Sequence, residues 1–157
     1  MSTEGNFGTL VVTGASRGIG AAIAKLAGAR GYSVAVNYAT GKAEAQAVVE
    51  QIESAGSHAC AIQADVSRDE DVIRLFETAE RELGPMKALV NNAAITGGFS
   101  RVDSVPATAV ARVMAVNVTG SVFVCPRGRA PHVNPARRNG RRHCEHFFPR
   151  SAHRLGW

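Results

Sequence analysis

The stretch Thr13-Gly14-Ala15-Ser16-Arg17-Gly18-Ile19-Gly20 decides how the rest of the chain is read. The apolar run Leu10-Val11-Val12 precedes it and reads as a buried strand, and Ala21-Ala22-Ile23-Ala24-Lys25-Leu26 follows it and reads as a helix. A turn joining such a strand to such a helix aims the helix's first amide N–H groups, and the positive end of its dipole, at one point. That point suits a phosphate. Gly14 lets the chain turn tightly, Gly18 leaves out a side chain that would block a pyrophosphate, and Gly20 lets the helix pack close to the sheet. Ser16 and Ile19 belong to the same cofactor-facing turn. The spacing is G-x-x-x-G-x-G. A glycine-rich turn with no ligand is the competing reading, but strand, motif and helix are consecutive here, which favours a nucleotide.

Working outward, the first helix runs to Gly31, and Tyr32-Ser33-Val34-Ala35-Val36-Asn37-Tyr38 reads as a second strand. In dinucleotide folds an acidic residue at this strand's end holds the ribose hydroxyls and repels a 2′-phosphate. Asn37 and Tyr38 stand there instead, while Arg17 and Lys42 supply positive charge, so NADP is expected in preference to NAD. Residues 44–54 carry Ala45, Val48, Val49 and Ile52 at helical spacing, closed by Gly56. A third strand, 58–63, delivers Asp65 and Val66 to its carboxyl end, where ligands collect in open parallel sheets. Ser67 and Glu70 read as a capping box for a helix burying Val72, Leu75, Phe76, Ala79 and Leu83, which Gly84-Pro85 stops. Lys87-Ala88-Leu89-Val90 is the fourth strand, and Asn91-Asn92-Ala93-Ala94 follows it. Residues 95–105 form a flexible connection, and Pro106 opens a further helix that reaches Asn117-Val118-Thr119-Gly120. The fold class is α/β: an incomplete, Rossmann-type doubly wound parallel sheet of about four strands, in the order third, second, first, fourth.

Thr13 with the glycine turn, taken together with Asn91-Asn92-Ala93-Ala94, resembles the short-chain dehydrogenase/reductase family. The resemblance covers residues 8–125 and implies hydride transfer between a nicotinamide cofactor and a carbonyl or alcohol. It implies that Asp65 and Val66 meet the adenine ring, and that Asn92, Ala93 and Ala94 pass close to the nicotinamide-side ribose. Ala94 departs from the family's usual glycine. It further implies a catalytic-set role for Asn117, holding a water that relays protons to an active-site lysine. Ser121 to Cys125 looks like the start of the family's interface-forming helix, so the intact parent is expected to be a homo-oligomer. The family's catalytic serine and Tyr-x-x-x-Lys should follow a fifth strand, and this chain offers neither. The string Tyr38-Ala39-Thr40-Gly41-Lys42 lies on the adenosine side of the cofactor and is read as coincidence.

Composition divides the chain near Cys125. Residues 1–125 hold ten Lys/Arg against twelve Asp/Glu, whereas residues 126–157 hold eight Arg and one Glu. Four of the six prolines and four of the five histidines also fall in this tail. The division gives a nucleotide-binding part, 1–125, and an aberrant basic tail, 126–157, expected to lack a packed core. A nucleic-acid arm would suit the arginines, but only Phe147 and Phe148 offer stacking. A metal site is not expected, since Cys144, His146 and His153 lack paired ligand spacing. A shifted reading frame accounts for more: displaced by one base, Arg127 to Pro135 can give Arg-Glu-Ala-Val-Arg-Arg-Met-Ser-Thr. Displaced likewise, Gly140 to Pro149 can give Gly-Gly-Ala-Ile-Val-Asn-Ile-Ser-Ser, a fifth strand ending in serines. On that reading the chain is a truncated, catalytically incompetent form that at most binds nucleotide. No secretory signal is legible and no segment reads as long enough to span a bilayer, and three scattered cysteines fit a reducing cytoplasm.

Overall fold

A computed structural model describes residues 7–98 and 101–127. The readings made on the tail beyond residue 127, the shifted frame and a fifth strand among them, lie outside the described residues. Four parallel strands, β1 (Thr9–Val12), β2 (Ser33–Tyr38), β3 (Ala59–Gln63) and β4 (Met86–Val90), form one sheet in the order β3-β2-β1-β4. The order is the one the sequence implies. Every residue of β1 and β2 is buried, whereas β3 and β4 mix buried with half-exposed positions. The reason is position: the inner strands have a paired strand on each side as well as helices on both faces, whereas β3 and β4 each leave one edge without a strand among the described residues.

Alternation along each strand divides the core in two. Leu10, Val12, Val34 and Val36 point to one face and pack with α1 (Gly18–Ala29) and α2 (Lys42–Ser54) through Ala24, Val48 and Ile52. Val11, Ala35 and Ile62 point to the other, against α3 (Asp69–Leu83) through Val72, Leu75 and Phe76. Val116 and Val124 join this second core. A methyl at Gly28 would sit 2.6 Å from Ile52 Cγ2, so glycine is what lets α1 and α2 approach.

Several boundaries differ from the sequence reading. Helix α1 begins at Gly18, inside the glycine turn, and Pro106 is the N-cap residue of α4 (Ala107–Met114) rather than its first helical residue. The Ser67–Glu70 capping box does not form: Arg68 is the N-cap of α3 and makes no side-chain capping bond. Ser67 instead donates its hydroxyl to Asp65 Oδ1 at 2.7 Å, and Asp71 is the acid that reaches back, accepting the Asp65 amide at 2.9 Å. The connection ahead of α4 contains one 3-10 turn, Val102–Ser104.

From α4 the helix continues without a break through a π-helical segment, Ala115–Thr119, into α5 (Gly120–Arg127). The span Ala107–Cys125 is 19 residues and, by length and composition alone, long and apolar enough to cross a membrane. This corrects the reading that no segment reaches that length. The Pro106 helix and Ser121–Cys125, separate motifs in the sequence, are joined by the π-helical segment into one continuous helix.

Candidate nucleotide-binding site

The strands' shared direction puts all their carboxyl ends on one side, and the loops leaving them surround a cleft of about 320 Å³. The glycine turn contributes Gly14, Ser16, Arg17 and Ile19 to its lining, the end of β2 gives Asn37, Ala39 and Thr40, and the end of β3 gives Ala64, Asp65 and Val66. Asn92, Ala93, Ala94 and Ile95 follow β4, and Arg112 and Val116 come from the long helix.

Thr13 is wholly buried and explains how the turn is held. Its Oγ1 accepts the amides of Asn92 (3.0 Å) and Ala93 (3.1 Å) and donates to the Val90 carbonyl (3.3 Å). Asn92 answers by donating Nδ2 to the carbonyls of Thr13 (2.9 Å) and Gly14 (3.0 Å). Asn91 donates Nδ2 to the Ser121 carbonyl at 3.3 Å, tying the same loop to α5. Small residues follow because the backbones nearly touch: a Cβ on Gly14 would lie 2.9 Å from Ala93 Cα, in a residue already at φ +63. Gly20 is excluded from the cleft lining and has a packing task, since a Cβ there would be 2.5 Å from both Asn92 Nδ2 and the Gly14 carbonyl. Gly18 differs again, with φ +58 and nothing within 4 Å of an added Cβ. Its side of the turn is open. Arg17, the N-cap of α1, makes no side-chain capping bond, so the first amides of α1 remain available to an anion.

The two residues at the end of β2 part company. Asn37 is 1% exposed and its amide is consumed by the protein: Oδ1 accepts the Gly14 amide (3.1 Å), and Nδ2 donates to the carbonyls of Ile62 (3.3 Å) and Ala64 (3.1 Å). It borders the cleft as a bracket between the glycine turn and β3. Tyr38, 5% exposed, packs in the first core and is not among the cleft residues. The alternation of β2 turns it away from the position that Ala39 and Thr40 take up, and neither of these stood out in the sequence.

Asp65 lies in the cleft wall and Val66 is buried beneath it. Burial pushes the Asp65 carboxyl up, but bonds from Ser67 and Arg112 outweigh this and hold it below the ordinary 3.8. Arg112 Nη2 donates to Asp65 Oδ2 and Nη1 to Ser67 Oγ, each at 2.6 Å. Arg112 was missed in the sequence, although it is the single charged residue between Asp103 and Arg127, which is a signal in itself. Asn117 sits in the π-helical segment, outside the cleft lining, and grips the backbone of Ile95: Oδ1 accepts its amide and Nδ2 donates to its carbonyl, both at 2.9 Å.

A parallel sheet in the order β3-β2-β1-β4, with a glycine-rich turn opening a helix at its carboxyl edge, is a Rossmann-type α/β arrangement. The short chain dehydrogenase family model matches residues 8–141, and the chain belongs to that family. It is 44% identical over 123 residues to an uncharacterized oxidoreductase of Methylorubrum extorquens, covering 78% of this chain and 49% of that protein. Versicolorin reductase of Emericella nidulans is 44% identical over 114 residues, covering 73% and 43%. Among solved structures, a short chain dehydrogenase from Burkholderia cenocepacia in complex with NADP has a TM-score of 0.72 and 37% identity, covering 76% of this chain and 48% of that one. A dehydrogenase/reductase from Sinorhizobium meliloti gives a TM-score of 0.75 at 36% identity, covering 81% and 50%. The chain thus spans about half the length of the curated relatives it matches.

Proposed function

We propose that this chain binds NADP(H) in the cleft, as the nucleotide-binding half of an oxidoreductase that moves hydride between the nicotinamide and a carbonyl or alcohol. The observation that carries the reading is the cleft at the carboxyl ends of the strands, with the open α1 amides, the unobstructed side of Gly18 and Arg17 together at one end. These residues fit a pyrophosphate. The absence of an acid after β2, where Ala39 and Thr40 line the cleft, supports NADP over NAD, and the NADP complex of the Burkholderia relative agrees. Asp65 and Val66 line the cleft, which supports their meeting the base, and the small Ala93 and Ala94 beside it support close approach of a ribose. When bound, the nicotinamide supplies or accepts the hydride. Fluorescence titration of the 157-residue chain tests the reading: NADPH should bind more tightly than NADH, and Arg17→Glu should weaken NADPH the more. Silence to both nucleotides at millimolar concentration would overturn it.

Binding without turnover is the second reading, and the position of Tyr38 favours it. Carbonyl reduction needs an acid at the substrate oxygen. The tyrosine of the string Tyr38 to Lys42 is in the core, away from the cleft. We therefore expect no NADPH oxidation with a panel of aldehydes and ketones; steady oxidation abolished by Arg17→Glu would show a competent enzyme. We also place the protein in the cytoplasm, off the membrane and off nucleic acid, with the intact parent a homo-oligomer. Val116 and Val124, buried in the second core, support keeping the long helix on the protein rather than in a bilayer.

A further inference from the structure

Helix α4 lies against the cleft yet has no buried residue of its own. Its apolar anchorage comes later in the same helix, at Val116 and Val124, beyond the start of the π-helical segment. Val113 packs beside Gly97, and Arg112 joins α4 to the loop after β3. Its two terminal nitrogens reach Asp65 Oδ2 and Ser67 Oγ at 2.6 Å, and its ion pair with Asp65 joins distant segments, whereas Arg74, Arg81 and Arg101 pair with carboxylates within three residues of themselves. The acceptor side is fixed in advance. Asp65 Oδ1 takes both the amide (3.0 Å) and the hydroxyl (2.7 Å) of Ser67, while the Asp65 amide donates to Asp71, itself paired with Arg74 at 2.9 Å.

An exposed ion pair taken alone contributes little. A guanidinium fork on two acceptors that are already held loses less freedom on pairing and specifies one geometry. Arg112 and Asp65 both line the cleft, so breaking this pair loosens two walls at once. The π-helical segment lies at one end of α4, and π-helical turns commonly mark places where a helix departs from regular packing. Gly97 and Gly98, both at positive φ, precede it on the other side.

From this geometry we propose that Arg112 is a positioning residue for the nucleotide: its fork on Asp65 and Ser67 latches α4 against the loop after β3 and sets how fast bound NADP(H) leaves. The latch rests on the reading of the cleft as an NADP(H) site. The association step, made with the latch open, depends on it little, and dissociation depends on it directly.

Stopped-flow displacement of NADPH from the full chain tests this, comparing the unaltered protein with Arg112→Gln, Arg112→Lys, Asp65→Asn and the double variant Asp65→Asn/Arg112→Gln. Arg112→Gln should speed dissociation about five- to tenfold with little change in association. Arg112→Lys, which keeps the charge without the fork, should fall between the two. The double variant should dissociate no faster than the faster single one, because either change opens the same latch. Dissociation from Arg112→Gln at the unaltered rate, or effects that multiply in the double variant, would overturn the latch while leaving the cleft's assignment intact. Failure of the unaltered chain to take up NADPH or NADH would overturn both.

Discussion

Replacing Asn37 by Ala leaves the Gly14 amide and the carbonyls of Ile62 and Ala64 without this partner at the buried margin of the cleft. Buried groups orphaned in this way cost roughly 2–4 kcal/mol together, so the variant's urea midpoint should fall by a large part of the chain's stability. The glycines of the turn separate by mechanism. Gly20→Ala drives a methyl onto the Gly14 carbonyl and the Asn92 amide, and should both lower the melting temperature and abolish nucleotide binding. Gly18→Ala meets open space and pays only for its left-handed backbone, about 1–2 kcal/mol. Gly18→Asn should recover part of that loss, because asparagine tolerates the conformation, whereas Gly20→Asn should recover nothing. Residue types alone displayed the glycines, Thr13 and the asparagines. They did not display tasks: Asn37 looks the same in sequence whether its amide faces a ribose or a strand.

Between elements, acid should act first at the loop joining β3 to α3. The Asp65 carboxyl is held below its ordinary 3.8 by Ser67 and Arg112 against the opposing effect of burial, and Asp71 is lowered chiefly by the Asp65 amide. Carboxyls with depressed folded values add stability that is fully present above the unfolded value and is lost as pH falls through the folded one. The contact of α4 with this loop should therefore be unchanged from neutral pH down to the ordinary carboxylate range and be lost only as pH falls below it, with hydrogen exchange along α4 rising first. Asp65→Asn should remove that acid limb; exchange along α4 that never rose in acid before the rest of the fold opened in the unaltered chain would contradict it. The inner strands were legible because each centres on a short run of buried aliphatic residues, Leu10–Val12 in β1 and Val34–Val36 in β2. The outer ones were legible mainly from the helices between them. The Asp65–Arg112 contact was not, since it joins positions 47 apart that no periodicity relates. The capping box failed for a similar reason: Ser67 had a nearer carboxylate.

For the molecule as a whole, one sheet edge and one helix stripe stand open together. Strand β4 pairs only with β1 among the described residues, and Val110, Met114, Val118 and Val122 are exposed at every fourth position of the long helix. Open strand edges and apolar stripes both promote association. Changing Val118 and Val122 together to Gln should raise the soluble fraction in a concentration series without altering NADPH affinity, because neither residue lines the cleft. The bond between the glycine turn and Asn92 has a consequence in time. Thr13 and Asn92 are 79 residues apart, yet the turn takes its final form only with both present. Synthesis at about 5–20 residues per second leaves a gap of about 4–16 s between them. Throughout that interval a nascent chain carries an unfinished phosphate cradle, so this most local of motifs waits on the fourth strand before it can mature on the ribosome.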